Sequence, residues 1–567
     1  MKKLFFIAAS FLVFSNLYAS NDPQGWNTPD WSPEAKIPTE GHRANIFQLE
    51  DKEWKVAIER GQVHASVWPI EDTGVLLPLI PIEKLFAGDT KNPIRNQISK
   101  TFKKVLGLNS MPELYEWLGL APYPKEDATG IYKIAYPNGK RPDYPMGLGK
   151  IKTSHGMGAT FSCTACHASS LFGKTVFGLP NKKLRGAQFY HFGKKYVKFA
   201  TKSLFMASVE HDKNDLIMFL NLKKGLNAAG TRASAARGLD TPMAQVSAGL
   251  AVRDNSPDAL ILPELVAHPK MDPLKEKNAT VDTKPATWWN VKYKTRFLHD
   301  GSLEGNPVPQ NIIWNEIARA TSMPKLEEWF KNNKLIVRDL TAAVFAARPP
   351  RFTDFFPAKK ISLLKAKEGE VIFNNRCAKC HGHYDKAWNT PHANSLNEVE
   401  ILETVKVRYH ETTPVKDVGT DKARHESMVV IAGPVNDLNV SKVTGTKLVP
   451  QVGYVPPPLV GVWARWPYFH NNSAPTLCAV LTPHKKRPKE YWAGAPIDKE
   501  IDFDSECNGY PLGSKVPEMW KKDKFFHFDT TKPGLENMGH EKMFMQDGKE
   551  ILSSGEKMAL IQFLQTL

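Results

Sequence analysis

The apolar positions of this chain fall into one early unbroken run and several later periodic stretches. Leu4 to Phe14 is apolar or small throughout except for Ser10, with Lys2 and Lys3 before it and the small residues Ala19 and Ser20 after it. A basic start, a short apolar centre and a small-residue end form the layout of a secretory signal peptide. The run covers 11 residues, short of the about 20 that a membrane-spanning helix needs. Residues 1–20 are therefore read as a signal peptide, and the protein as exported, periplasmic or secreted, with no membrane span. Leu326 to Ala347 has a helical pattern, ended by Arg348-Pro349-Pro350-Arg351 because proline cannot continue a helix. In Ala366 to Arg376, Val371, Ile372 and Phe373 read as an apolar helix face and Gly369 as a position for close packing. Near the C-terminus Ser553 and Glu556 have capping-box spacing. Leu560, Phe563, Leu564 and Leu567 follow at i, i+3, i+4 and i+7, one apolar face. Residues 21 to about 140, rich in Pro, Trp and charge, read as loops with a few helices. Residues about 480 to 550, rich in Pro, Asp and Gly, read as a loop-rich insertion. No internal repeat is visible beyond the two motifs described next.

Charge and cysteine content narrow the picture. The 567 residues carry a formal net charge of +16. In an exported chain this points to acidic partners or an anionic surface, or to a merely solvated face, and not to nucleic acid. Six cysteines are too few for a disulfide scaffold of this length. Four form two CxxCH motifs, Cys163-Thr164-Ala165-Cys166-His167 and Cys377-Ala378-Lys379-Cys380-His381. Two thiols three positions apart lie about one helical turn from each other, so both reach the vinyl groups of one porphyrin, and the adjacent histidine falls under the iron. This is the pattern of covalent c-type haem attachment. A zinc site would need two more ligands close by, and a thioredoxin-like pair a βαβ context. The chain therefore carries two haem c groups, with His167 and His381 as proximal iron ligands. Cys478 and Cys507 fit a disulfide in an oxidising compartment; sequence alone leaves separate thiols open.

The run Gly453 to Leu477 (GYVPPPLVGVWARWPYFHNNSAPTL) and the later Phe528 to Glu541 (FDTTKPGLENMGHE) resemble signatures of the di-haem cytochrome c peroxidase superfamily. Pro285 to Gly305 (PATWWNVKYKTRFLHDGSLEG) resembles the segment between the haems in its long branch, which contains the latex-cleaving rubber oxygenases. The resemblance implies a mainly α protein of two cytochrome c-type haem domains with loop-rich insertions and an N-terminal extension. The bounds are 21–140 for the extension, 141–350 for a first domain with the reactive haem, and 351–567 for a second with the electron-transfer haem. Where bacterial di-haem peroxidases place a tryptophan, this chain reads Leu298-His299-Asp300-Gly301, with Trp288 and Trp289 nearby.

The resemblance also assigns roles. His540, ahead of the terminal helix, is the expected distal ligand of the second haem, with His470, Met543 and Met545 as further candidates. Glu316, Glu304, His299 and Trp314 are the candidate catalytic residues around the first haem. Some family members bind calcium between the domains. The main functional expectation is reduction of hydrogen peroxide at the first haem, with electrons from a small redox donor protein or dye-like donor relayed through the second. That chemistry needs an acid/base at the open iron. The alternatives are a dioxygenase cleaving an apolar, polyisoprene-like substrate, which needs an apolar pocket instead, and a non-enzymatic electron carrier.

Overall fold

The computed structural model describes residues 29–39, 41–239, 243–251, 253, 258 and 281–567; the signal-peptide expectation, residues 1–20, lies outside them. The described fold is mainly helical, with long loop-rich insertions. Its strands are short, the largest sheet among the described residues being Leu77–Pro78, Gly156–Phe161 and Leu148–Thr153 in three strands. No helix of the described residues is long and apolar enough to cross a membrane.

Two helix crossings organise the two ends of the molecule, and each depends on a glycine. Helix Leu363–Arg376 packs against the terminal helix Ser554–Gln565. A Cβ on Gly369 would lie 2.1 Å from the Ala559 carbonyl oxygen, so any larger residue would push the helices apart. The terminal helix starts as its capping box predicts, Ser553 and Glu556 each bonding the other's backbone N–H. At the other end, helix Asp51–Val67 crosses helix Lys334–Ala346 in the same way. There a Cβ on Gly61 would lie 2.0 Å from the Asp339 carbonyl oxygen. Residues 21–140 thus supply a core helix to the first half as well as loops.

Two helix expectations need correction. Leu326 to Ala347 is not one helix but two, Met323–Asn332 and Lys334–Ala346, broken at Asn333. The Asn333 side chain donates to the Trp329 carbonyl, taking an acceptor that a continuing helix would use. Val371, Ile372 and Phe373 do not share a face, since successive helical residues turn by about 100°. Phe373 is 1% exposed and Val371 60%.

The structure also contains a repeat that the sequence hides. Residues 284–303 and 455–474 correspond at a spacing of 171 positions (470 − 299), most closely in the turns 297–303 and 468–474. Phe297 pairs with Leu303 across a tight turn, and Tyr468 pairs with Ala474. Leu298 and Phe469 have φ of 65° and 63°, and Gly301 and Asn472 have 70° and 62°. The two loops exchange equivalent hydrogen bonds. Lys284 N–H donates to the His470 carbonyl at 3.0 Å, and Val455 N–H donates to the His299 carbonyl at 2.8 Å. Such reciprocal pairing is what a pseudo-twofold axis between two similar units produces. Beyond the second loop, Cys478 and Cys507 are joined in a disulfide with 5.1 Å between Cα atoms.

Candidate functional site: two cavities on a shared wall

The repeated loops set both histidines of the CxxCH motifs. His167 Nδ1 lies 2.9 Å from the Ala286 carbonyl oxygen. His381 Nδ1 lies 2.9 Å from the Pro457 carbonyl oxygen, and 286 and 457 are equivalent positions of the repeat. A ring N–H donated to a backbone carbonyl fixes the tautomer and leaves Nε2 free for a metal. Burial pushes both imidazoles down to about 4, which keeps them neutral as ligands must be. Trp288 stacks on the His167 ring at 4.8 Å.

Each motif opens on its own cavity. Cys163, Cys166 and His167 line the first, of about 120 Å³. Cys377, Cys380 and His381 line the second, of about 230 Å³. His540 faces His381 across the second cavity, with 6.2 Å between ring centres. Two imidazoles bonding one metal from opposite sides at about 2 Å each have ring centres about 6 Å apart once the rings' own radius is added. His540 also has a positive φ of 59°, a strained conformation of the kind found where a side chain must point one way. Burial, and then His381, pushes its imidazole down to about 3. His470 lines the same cavity but stacks flat on Tyr454, with ring centres 3.9 Å apart. Met543 also lines it, and Met545 does not.

The cavities fit haem in a second respect. Lys284 and Lys294 line both, Arg465 lines the second and Arg424 the first. Among the described residues no carboxylate forms a salt bridge with Lys284, Lys294 or Arg465. Arg424 reaches Asp300 only at 3.7 Å. Burial pushes Lys294 down to about 8 and Lys284 well below the usual lysine range. Buried cations require anions, and the propionates of a haem supply them. Cysteine pairs, oriented histidines and unpaired cations therefore all match covalent haem c in both cavities. No group of three or more His, Cys, Asp or Glu among the described residues forms a metal-ion cluster, so nothing supports the calcium expectation.

The four candidate catalytic residues separate. Trp314 lines the first cavity, its indole N–H buried without a hydrogen-bond partner. His299 lies in the wall common to both cavities, its Nε2 3.0 Å from the Lys284 carbonyl oxygen. Glu316 and Glu304 line neither of the two cavities. Glu316 is fully buried, bonded by Arg319 at 2.9 Å, Thr321 at 2.5 Å and Thr73 at 3.2 Å. It lies on the face of helix Pro307–Ala318 turned from the space that Trp314 lines. Glu304 pairs with Arg296 at 2.9 Å. Among the described residues no carboxylate lines either cavity. Reading the sequence missed the acceptors Ala286 and Pro457, which carry no side-chain signal, and the cations Lys284, Lys294, Arg424 and Arg465. Lysines in an otherwise apolar and aromatic run, as in Pro285 to Gly305, were the one available sign.

Residues 453–493 match the RoxA-like, cytochrome c-like family. That stretch contains the second repeat loop, with Pro457, Arg465 and His470, and it supports the lineage that the loop signatures suggested. Two proteins of Sinorhizobium fredii (strain NBRC 101917 / NGR234) are similar over longer spans. The uncharacterized protein y4iM is 26% identical over 318 residues, 53% of this chain and 67% of that protein. The uncharacterized protein y4iJ is 28% identical over 271 residues, 39% of this chain and 41% of that protein. The chain thus spans less than half the length of the second relative. The RoxA-like match and the two CxxCH motifs together support a haem c-dependent redox enzyme.

Proposed function

We propose that this chain is an exported di-haem oxygenase that cleaves an apolar, polyisoprene-like substrate with dioxygen at the haem held by His167. The observation that carries this reading is the lining of the first cavity. Phe297, Leu298, Leu303, Val308, Ile312 and Val344 contribute apolar walls, and no described carboxylate joins them. Peroxide cleavage calls for a group that moves a proton between two oxygens. The two glutamates expected to do so are held in ion pairs elsewhere, so the peroxidase expectation loses its acid/base.

Bound haem supplies the iron chemistry and electron transfer. The chain does the rest. Cys163 and Cys166 would hold the macrocycle and His167 Nε2 the metal, while the Ala286 carbonyl holds the orientation of the His167 ring. The apolar wall desolvates an alkene and aligns it. In the overall reaction one carbon–carbon double bond breaks, each carbon gains one oxygen as a carbonyl, and no external reductant is consumed. His381 and His540 would hold the second haem's iron between them, and a centre held so would be closed to substrates and suited to carrying electrons. Each haem belongs to a cytochrome c-type domain. The first begins at the Asp51–Val67 helix, whose crossing at Gly61 matches that at Gly369 in the second. A small redox protein is the partner proposed for electron exchange.

Dioxygen uptake with emulsified polyisoprene, followed by detection of carbonyl products, tests the reading. Uptake with carbonyl formation is expected, with no turnover of hydrogen peroxide by a reduced small cytochrome. Peroxide turnover without dioxygen uptake overturns it.

A further inference from the structure

The two cavities are not separate rooms. Lys284, Lys294, Leu298 and His299 line both of them. The reciprocal bonds Lys284 N–H to His470 and Val455 N–H to His299 fix this wall at the pseudo-twofold axis. Its two ammonium groups differ in attachment. Lys284 Nζ donates to the Pro467 carbonyl at 2.7 Å. Lys294 has no side-chain partner among the described residues, and it is 8% exposed. The equivalent of Lys294 in the second loop is Arg465, which lines the second cavity alone.

We propose that Lys294, in the wall that Lys284 also lines, is a positioning charge shared by the two haem sites, and that it sets both haem potentials at once. A fixed positive charge in a desolvated wall disfavours the ferric form, which carries one more positive charge than the ferrous form. A cation facing one cavity acts mainly on that site. A cation facing both raises the potentials of both, so the two centres shift together when it is changed. Burial holds Lys294 down to about 8, and a haem carboxylate arriving on either side restores its full charge. The shared wall therefore keeps the two centres in register for electron exchange. This inference rests on two haems filling the two cavities and not on which substrate is oxidised.

Spectroelectrochemical titration of the purified two-haem protein, without substrate or dioxygen, tests it. Lys294→Met keeps the length and removes the charge, and Lys294→Arg restores the charge. Both midpoint potentials are expected to fall in Lys294→Met and to return towards the starting values in Lys294→Arg. A fall confined to one haem, or no fall in either, overturns the shared role. A structural defect alone would not be rescued selectively by the charge-keeping variant. If Lys294→Met does not assemble with two haems, Lys284→Met carries the test, again with both potentials expected to fall. Because potentials are read without turnover, failure here leaves the oxygenase reading standing, and failure of oxygenase turnover leaves the shared charge standing.

Discussion

The first and second cavities are built on the same loop, yet they differ in what crosses the open side. Both loops present a backbone carbonyl to the CxxCH histidine, Ala286 for His167 and Pro457 for His381. Both then turn through a positive-φ residue, Leu298 or Phe469, into a histidine. In the second cavity, a separate segment brings His540 to face His381. In the first, the walls across from the loop come from helix Pro307–Ala318, which contributes Val308, Ile312 and Trp314. No imidazole other than His167 and His299 lines that cavity among the described residues, and His299 is engaged by the Lys284 carbonyl. One scaffold thus yields a cavity with a second imidazole facing the motif histidine and a cavity without one. The difference lies in the insertions brought over it and not in the loop.

The largest effect that sharpens this comparison is all-or-none. Replacing Cys163 and Cys166 by alanine removes one covalent haem, and replacing Cys377 and Cys380 removes the other. Intact-protein mass with a pyridine haemochrome assay should give two haems for the parent chain and one for each variant. A parent mass with one haem breaks the comparison at its base.

Next in size is the spin state of the second centre. His540→Ala should turn one low-spin haem high-spin, because the iron loses a strong axial imidazole. His470→Ala should leave that signal low-spin, since its ring is stacked on Tyr454. Electron paramagnetic resonance reads both, and the reverse pattern would assign the distal ligand to His470.

How far the sequence reveals this arrangement depends on what each feature is made of. Covalent chemistry and capping are local, so CxxCH and the Ser553–Glu556 box can be read directly. Gly369 and Pro349–Pro350 can be read because backbone sterics depend on residue type. The repeat of 284–303 and 455–474 is hidden because its conserved elements are backbone bonds and φ angles. Lys294 and Arg465 share only charge. The Gly61 crossing is hidden because residues 68–162 separate that helix from the first CxxCH, whereas Leu363–Arg376 runs straight into Cys377. The place of Glu316 is hidden because its partner Arg319, one helical turn on, holds it by a contact that only the fold reveals.

Glu316 gives a third prediction, which asks whether the first centre needs a carboxylate. Glu316→Gln leaves Arg319 with an uncompensated buried charge. Breaking such a pair typically costs about 3–5 kcal/mol. Chemical denaturation should record that loss, while cyanide binding at the first haem should keep its affinity and pH profile. An altered pH profile with unchanged stability would return Glu316 to the reacting centre.

The smallest effect concerns a lysine found on one side only. The strand after the second motif, His383–Lys386, ends in a buried Lys386 whose Nζ donates to the Leu402 and Thr566 carbonyls at 2.6 and 2.8 Å. The matching strand after the first motif, Ala168–Leu171, carries no charge. Burial pushes Lys386 down to about 7, against the opposing pull of Glu370 and Glu403. The unfolded chain keeps an ordinary lysine value of about 10.4, so between about pH 7 and pH 10 it binds the extra proton. Stability of the second half should therefore rise with pH across that window, by at most about 1.4 kcal/mol per pH unit from this group. Lys386→Met lowers stability overall, because two carbonyls lose their donor, but it also removes this slope. Urea unfolding followed by the Soret band of the second haem, at pH 7.5 and 9.5, separates the two effects. Parent and variant curves that shift in parallel with pH would mean that Lys386 stays charged in the fold, and that this strand is no more demanding than its uncharged counterpart.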